Sequence, residues 1–176
     1  ISRPLGGTRA LSAGERHFSH SLAVAQNGVV TAAVVYLPAL DRLYTATADG
    51  PALVDGQPIR ASTKGLADAP NILTTKTNLS PEHWIGDPPA FQRSFRASLA
   101  YRLALVAEGA FDGMLAFRNA WEWDIAAGSL IAARAGAAVS DCRGAALRFN
   151  SAGAQSSGIF VAAPALHADL LPLFKQ

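Results

Sequence analysis

Phe18-Ser19-His20-Ser21-Leu22-Ala23-Val24-Ala25-Gln26-Asn27-Gly28-Val29-Val30-Thr31-Ala32-Ala33-Val34-Val35-Tyr36 reads as two strands joined by a tight turn. Both arms are apolar and rich in β-branched residues. Asn-Gly is the dipeptide that best tolerates the paired positive φ angles of a type I′ hairpin. Asp49-Gly50 and Asp55-Gly56 repeat the turn signal and bracket short strands over Leu43–Ala48, Ala52–Val54 and Pro58–Ala61. Residues 17 to 61 are therefore expected to form an antiparallel meander.

Beyond the meander the pattern changes. Asn71–Thr75 reads as a strand, and Pro81, Gly86, Pro88 and Pro89 mark 76–90 as a loop. Phe95, Leu99, Leu103 and Val106, with Leu105 widening the stripe, recur at helical spacing, and Gly109 suits the C′ position. Gly113–Phe117 follows as a strand. A second helix is predicted from near Asp124 to about Ala135, closed by Gly136. Its small residues Ala126, Ala127, Gly128, Ala132 and Ala133 allow a neighbour to approach closely. Val139–Asp141, Leu147–Phe149 and Ile159–Ala162 are further strands. Pro164 opens a last helix, with Leu166, Leu170 and Leu171 as its apolar face and Pro172 ending or kinking it. Strands followed by alternating strands and helices give a layered α/β sandwich.

Composition narrows the function classes. The chain has 176 residues, half of them hydrophobic and 16% charged, which suits one ordinary domain and excludes whole-chain disorder. A net charge of +2 gives no electrostatic case for nucleic acid. No apolar run reaches the roughly 18 residues that span a bilayer. The single cysteine, Cys142, excludes an internal disulfide framework and a cysteine zinc cluster, and is read as inert. A cytoplasmic setting is expected. Ile1 in place of a methionine points to a fragment or a processed product.

Two segments can carry chemistry. In Trp121-Glu122-Trp123-Asp124-Ile125-Ala126-Ala127-Gly128, a carboxylate stands where a loop gives way to a small-residue helix. Asp124 can cap that helix or point outward and bind a cation; periodicity alone favours the cap. In Arg3-Pro4-Leu5-Gly6-Gly7-Thr8-Arg9, the two glycines let backbone approach a ligand, and the N–H groups can form an anion nest. Other polar residues have ordinary readings. His17 and His20 would share one strand and point to opposite faces. His83 and His167 read as surface residues, Ser98 as a helix cap, and Trp121 and Trp123 as packing residues. Arg9 and Arg16 are solvated, or a mildly basic rim.

Together these two segments resemble the inositol monophosphatase superfamily. The second matches the family's C-terminal signature through Leu130-Ile131 and Ala135-Gly136. Glu122, the run Ser98-Leu99-Ala100 to Leu105-Val106-Ala107-Glu108-Gly109, and Val34-Val35-Tyr36-Leu37-Pro38 are most similar to the bacterial 3′(2′),5′-bisphosphate nucleotidase branch. The resemblance implies the C-terminal part of an α/β/α/β/α fold. Residues 1–176 would form a single domain without the family's N-terminal helical region, where the remaining metal-binding Glu of relatives lies. It also implies a Mg²⁺-dependent phosphomonoesterase ancestry and a small phosphorylated ligand of the adenosine bisphosphate or inositol phosphate class.

Residue by residue, the resemblance carries over only in part. The family's Asp-Pro-(Leu/Ile)-Asp-Gly-Thr reads Arg3-Pro4-Leu5-Gly6-Gly7-Thr8 here. The resemblance makes Asp124 and the Leu5 carbonyl metal ligands, Thr8 the residue that orients water, and Gly7-Thr8 the phosphate cradle. It places Ser98 against substrate through its backbone. Both signature aspartates are replaced, by Arg3 and Gly6, and the later Glu-Ala-Gly-Gly is Arg134-Ala135-Gly136-Ala137. Mg²⁺ needs near-octahedral oxygen ligands, and two-metal hydrolysis needs several carboxylates. A single aspartate cannot supply them, and Arg3 adds positive charge. The expectation is a degenerate member that binds a phosphorylated molecule through Gly7, Thr8 and Arg3 with weak or no hydrolysis. The competing readings are an active phosphatase that recruits Glu122, Asp112 or a partner chain's carboxylate, and a structural remnant without ligand. The Leu22, Val24, Val30 and Val34 faces, without a covering layer, predict a homo-oligomer.

Overall fold

Fourteen of the first fifteen residues and all of 16–175 are described by the computed structural model; of Arg9 and Ala10 only the backbone is described. The chain enters as β1 (Ser2–Gly6), makes one short turn α1 (Thr8–Ser12), and continues into β2 (Ser19–Gln26) and β3 (Val29–Leu37). Asn27 and Gly28 have φ of 51° and 80°, the left-handed pair that the hairpin requires. β4 (Arg42–Thr47), β5 (Leu53–Val54) and β6 (Gln57–Pro58) complete a six-stranded antiparallel sheet in sequence order. The meander thus extends as expected, and β1, not anticipated as a strand, adds to its edge. His17 lies before β2 rather than in it.

The second sheet is mixed. β7 (Asn71–Leu73) pairs in parallel with both β8 (Gln92–Ser94) and β9 (Gly113–Ala116), and β11 (Ala138–Ser140) and β13 (Ile159–Ala162) extend it antiparallel. β10 (Ala120–Trp121) and β12 (Gln155–Ser156) form a separate two-stranded clip. Leu147–Phe149 is not a strand. Phe149 N–H donates to Gly28 O, so this segment is anchored on the hairpin turn instead of in a ladder.

Between the sheets lie α2 (Leu99–Ala107) and α3 (Glu122–Arg134). Alternation along the second sheet shows the layering. Leu73, Met114, Ala116, Ile159 and Val161 face these helices, while Ile72, Leu115, Phe160 and Ala162 face the other side. That other side is covered by α4 (Pro164–Leu170) and by Trp84 and Phe174. The order is sheet, helices, sheet, helix. α2 starts at Leu99 because Ser98 caps it, its Oγ accepting from Tyr101 N–H at 3.2 Å. Phe95 therefore falls outside the helix. Gly109, at φ 75°, closes it as expected.

The outer face of the first sheet carries Leu22 and Val24 at 55% and 53% exposure, together with Leu43. Val30 departs from the expected set. The register slips between Val24 and Ala25, which pair with Ala32 and Val30, so a bulge turns Val30 inward to the core. No helix among the described residues is long and apolar enough to cross a membrane.

Candidate functional site

A cleft of about 770 Å³ opens where β1, the start of α2, the end of β9 and the start of α3 converge. Arg3 enters from β1, Gly7 and Thr8 from the turn between β1 and α1, and Asp124 from α3. β1 reaches the cleft through an irregularity. Arg3 pairs with Ser21 but Gly6 with Ser19, so an extra residue is accommodated in Pro4-Leu5. Proline lacks the N–H a regular ladder needs and fits an edge bulge. Gly7 is held at φ 81°, and a Cβ there would lie 2.9 Å from His17 O, so only glycine fits.

Asp124 does not cap α3. The helix begins two residues earlier, with Trp121 as N-cap and no side-chain cap bond. The clip of β10 and β12 sets that start. Glu122 N–H donates to Ala154 O, and the Glu122 carboxylate accepts from the N–H groups of Asn150 and Ser151 at 2.7 and 3.1 Å. Asp124 is thus left in the first turn, where the helix dipole favours a carboxylate, with its side chain free for the cleft.

There it meets Arg3. Nε of Arg3 lies 3.3 Å from Asp124 Oδ1 and donates to Leu5 O at 3.1 Å. One guanidinium therefore sits on both groups that the family resemblance makes metal ligands. Burial pushes the Asp124 carboxyl above its usual range, and Arg3 and Arg118 pull it only part of the way back.

The remaining predicted residues separate. Ser98 is buried with its hydroxyl committed to the cap and to Ser19 Oγ at 2.8 Å; its neighbours Ala97 and Leu99 line the cleft. Glu122 and Asp112, the candidate substitute carboxylates, are both engaged elsewhere. Asp112 accepts from Ser62 Oγ, Asn71 N–H and Lys64 Nζ at 2.6, 2.7 and 3.3 Å, away from the cleft. Burial alone would raise its pKa, but these donors outweigh it and hold the carboxyl below its ordinary range. Arg16 is tied to Ala39 O, and the Arg9 side chain lies outside the described residues. His167 is not a surface group: it stacks on Phe160 and pairs with Ser140, and burial lowers its pKa. Cys142 is buried with its thiol pushed up to about 12 by burial and by Asp141, consistent with inertness. Trp121 and Trp123 stack on each other at 4.6 Å.

Sequence reasoning missed much of the cleft lining. His83 lines the cleft, stacked on Phe117, and Phe95, Arg102, Arg118 and the polar Thr75, Thr77 and Asn78 line it as well. Arg102 did leave a signal, since it is the only charge inside the apolar run Leu99–Ala107.

The donor set does not fit a magnesium centre. Asp124 is the sole carboxylate lining the cleft among the described residues, and it is already ion-paired. No group of three or more His, Cys, Asp or Glu residues able to hold a metal occurs among them either.

The layer order defines a layered α/β sandwich, and comparison with known proteins gives the family. The inositol monophosphatase family model matches residues 4–176, and the chain belongs to that family. An inositol-1-monophosphatase of Rhizobium meliloti is 35% identical over 82% of this chain and 57% of its own length. The Nus factor SuhB of Escherichia coli K12 is 34% identical over 80% of this chain and 55% of its own. A staphylococcal IMPase-II structure superposes with a TM-score of 0.85 at 20% identity, covering 98% of this chain and 69% of that one. The chain thus spans little more than half the length of the curated relatives it matches.

Proposed function

We propose that this chain binds a small phosphorylated molecule in the Gly7-Thr8 cleft without a divalent metal, and hydrolyses it weakly or not at all. The observation that carries this reading is the seat of Arg3. Its Nε is held by Asp124 and Leu5 O, while no protein hydrogen bond among the described residues engages its two terminal nitrogens. A guanidinium fixed in this way offers donors matched to phosphate oxygens. It supplies one positive charge where family members use metal ions. It cannot polarise water into a nucleophile, so binding is retained while the attacking group is lost.

The ligand class is supported by the cleft's positive character and by relatives. Structures of staphylococcal IMPase-II carry 2′AMP and inositol monophosphate. An adenosine bisphosphate or inositol phosphate suits the same cleft; the nucleotidase branch remains part of this proposal, whereas the relatives named above are an inositol-1-monophosphatase and a Nus factor.

Calorimetry with inositol 1-phosphate and with adenosine 3′,5′-bisphosphate in EDTA tests the reading. The expected result is saturable binding that weakens with salt and is unchanged when Mg²⁺ replaces EDTA. Absence of binding in EDTA, or phosphate release that a chelator abolishes, would overturn it. Crystals soaked in Mn²⁺ give an independent check, with no anomalous peak expected beside Asp124.

A further inference from the structure

We propose that residues 173–175 form a strap that sets the position of His83 in the cleft, which makes Phe174 and the Lys175 backbone positioning residues for ligand binding. The effect on ligand rests on the phosphate reading above; the strap itself rests on how residues 81–89 are held.

His83 lies in a stretch with little means of holding itself in place. Pro81, Gly86, Pro88 and Pro89 keep residues 81–89 out of both sheets. The bonds within it are local turns: His83 N–H donates to Ser80 O at 3.0 Å and Trp84 N–H to Pro81 O at 3.4 Å. Among the described residues, only two backbone hydrogen bonds tie 81–89 to a distant part of the chain, and both go to the strap. Ile85 N–H donates to Leu173 O at 2.8 Å, and Lys175 N–H donates to His83 O at 2.9 Å. They flank an antiparallel bridge between Trp84 and Phe174. Lys175 Nζ adds a bond to Pro81 O at 2.8 Å.

Side chains carry the clamp into the cleft wall. Phe174 is 1% exposed and meets Trp84, Phe117 and Phe160 edge-on, with ring centroids 5.1, 4.9 and 5.1 Å away. Trp84 is fully buried and donates from Nε1 to Asn78 O at 2.8 Å. The Asn78 side chain is held in turn by Thr74 Oγ1 and Leu115 O. Phe117 also carries the His83 ring, stacked at 4.4 Å and 15°, and both line the cleft. His83 is therefore fixed twice: its carbonyl by Lys175, and its ring by a phenylalanine that packs on Phe174. Arg3 reaches the cleft from the first sheet, and His83 reaches it with Asn78 from beside the second. An imidazole nitrogen in that wall can donate to a phosphate or hydroxyl oxygen of the ligand. Losing the bond at the His83 carbonyl shifts the ring as well, because both hang from one Cα.

Two proline substitutions remove the strap's backbone bonds one at a time. Lys175→Pro deletes the N–H that reaches His83 O; Phe174 before it stands at φ −79° and ψ 137°, which a following proline accepts. Ile85→Pro deletes the other donor, with Trp84 at φ −122° and ψ 141°. Both positions are exposed, so both variants should fold. Each is expected to weaken inositol 1-phosphate binding in EDTA about threefold to tenfold, the worth of one hydrogen bond to ligand. Lys175→Ala keeps the N–H and should stay within about twofold of the parent. In a His83→Ala background the proline substitutions should change affinity by less than about twofold, although they still destabilise the fold; a merely structural role would weaken binding equally in both backgrounds. A ligand-free readout accompanies these. The carbon-bound ring protons of His83, shielded by Phe117, should move toward the free-imidazole position in both proline variants. Unchanged His83 resonances, a loss of affinity that persists without His83, or a loss in Lys175→Ala as large as in Lys175→Pro would overturn the strap. If the parent binds no inositol 1-phosphate, the phosphate reading fails, and the His83 resonances alone decide the strap.

Discussion

Replacing Gly128 with alanine probes the contact on which the site's geometry depends. α2 and α3 cross with Gly128 against Leu103, and a Cβ at 128 would lie 2.6 Å from both Cβ and Cδ1 of Leu103. Ordinary carbon contacts are about 3.5–4.0 Å. A rotamer change can move Cδ1, but Cβ is fixed to the α2 backbone, so the helices must separate by about 1 Å. Leu103 is fully buried, and overpacking of this kind costs about 1–3 kcal/mol. Alanine's better helix propensity offsets about 1 kcal/mol. Taking the upper end of the packing cost, since two atoms clash and one cannot move, the net loss is about 2 kcal/mol. For a chain of this size that corresponds to a melting temperature lower by about 4–8 °C. Asp124 lies one turn before Gly128, so the same displacement shifts it relative to Arg3 and should weaken phosphate-ligand binding. Urea unfolding followed by circular dichroism measures the first effect and calorimetry the second. A Gly128→Ala protein more stable than the parent by the helix-propensity gain would refute the close crossing.

Placing carboxylates at the two signature positions tests the proposal that this chain works without a metal centre. Arg3→Asp with Gly6→Asp should give measurable Mn²⁺ binding where the parent shows none; a Cβ at Gly6 would meet Ser19 Oγ at 3.3 Å, a contact the hydroxyl can relieve by a small shift. A folded double variant with no gain in Mn²⁺ affinity would count against the assignment of those positions. Asp112→Asn places an amide donor against Ser62 Oγ or the Asn71 N–H and should cost about 2 kcal/mol. Because the Asp112 carboxyl is held below its usual value of 3.8, its stabilisation is present above that pH and lost as the pH falls through the depressed folded value; urea titrations at neutral and acid pH should show the variant's deficit shrinking in acid. Asp124 has the opposite sign. Its raised folded pKa makes ionisation unfavourable to the fold, with the cost growing as the pH rises from about 3.8 through that value. Asp124→Asn should therefore be at least as stable as the parent at pH 7 and lose any advantage below pH 3.8. A clear loss of stability at pH 7 would show that the pair with Arg3 outweighs burial.

Local rules determined much of this protein from its sequence. The Asn27-Gly28 hairpin, the Ser98 cap, the Gly109 stop and the Pro164 start act over a few residues and depend on backbone sterics and single hydrogen bonds, so they are legible without the rest of the chain. That Arg3 and Gly6 stand where the family resemblance places aspartates was legible as well, by matching the motif residue by residue. What tertiary structure decided were the long-range matters. Asp124 was freed from capping by a clip between residues 120–121 and 155–156, whose pairing no local pattern records. Glu122 and Asp112 were committed to distant backbone donors, and Val30 was turned inward by a one-residue slip of register. Phe95 fell outside α2 because the Ser98 cap started the helix later than periodicity alone implied. Sequence specifies which charges exist; which of them face one another depends on contacts between segments dozens of residues apart, and electrostatic interaction is set by that distance.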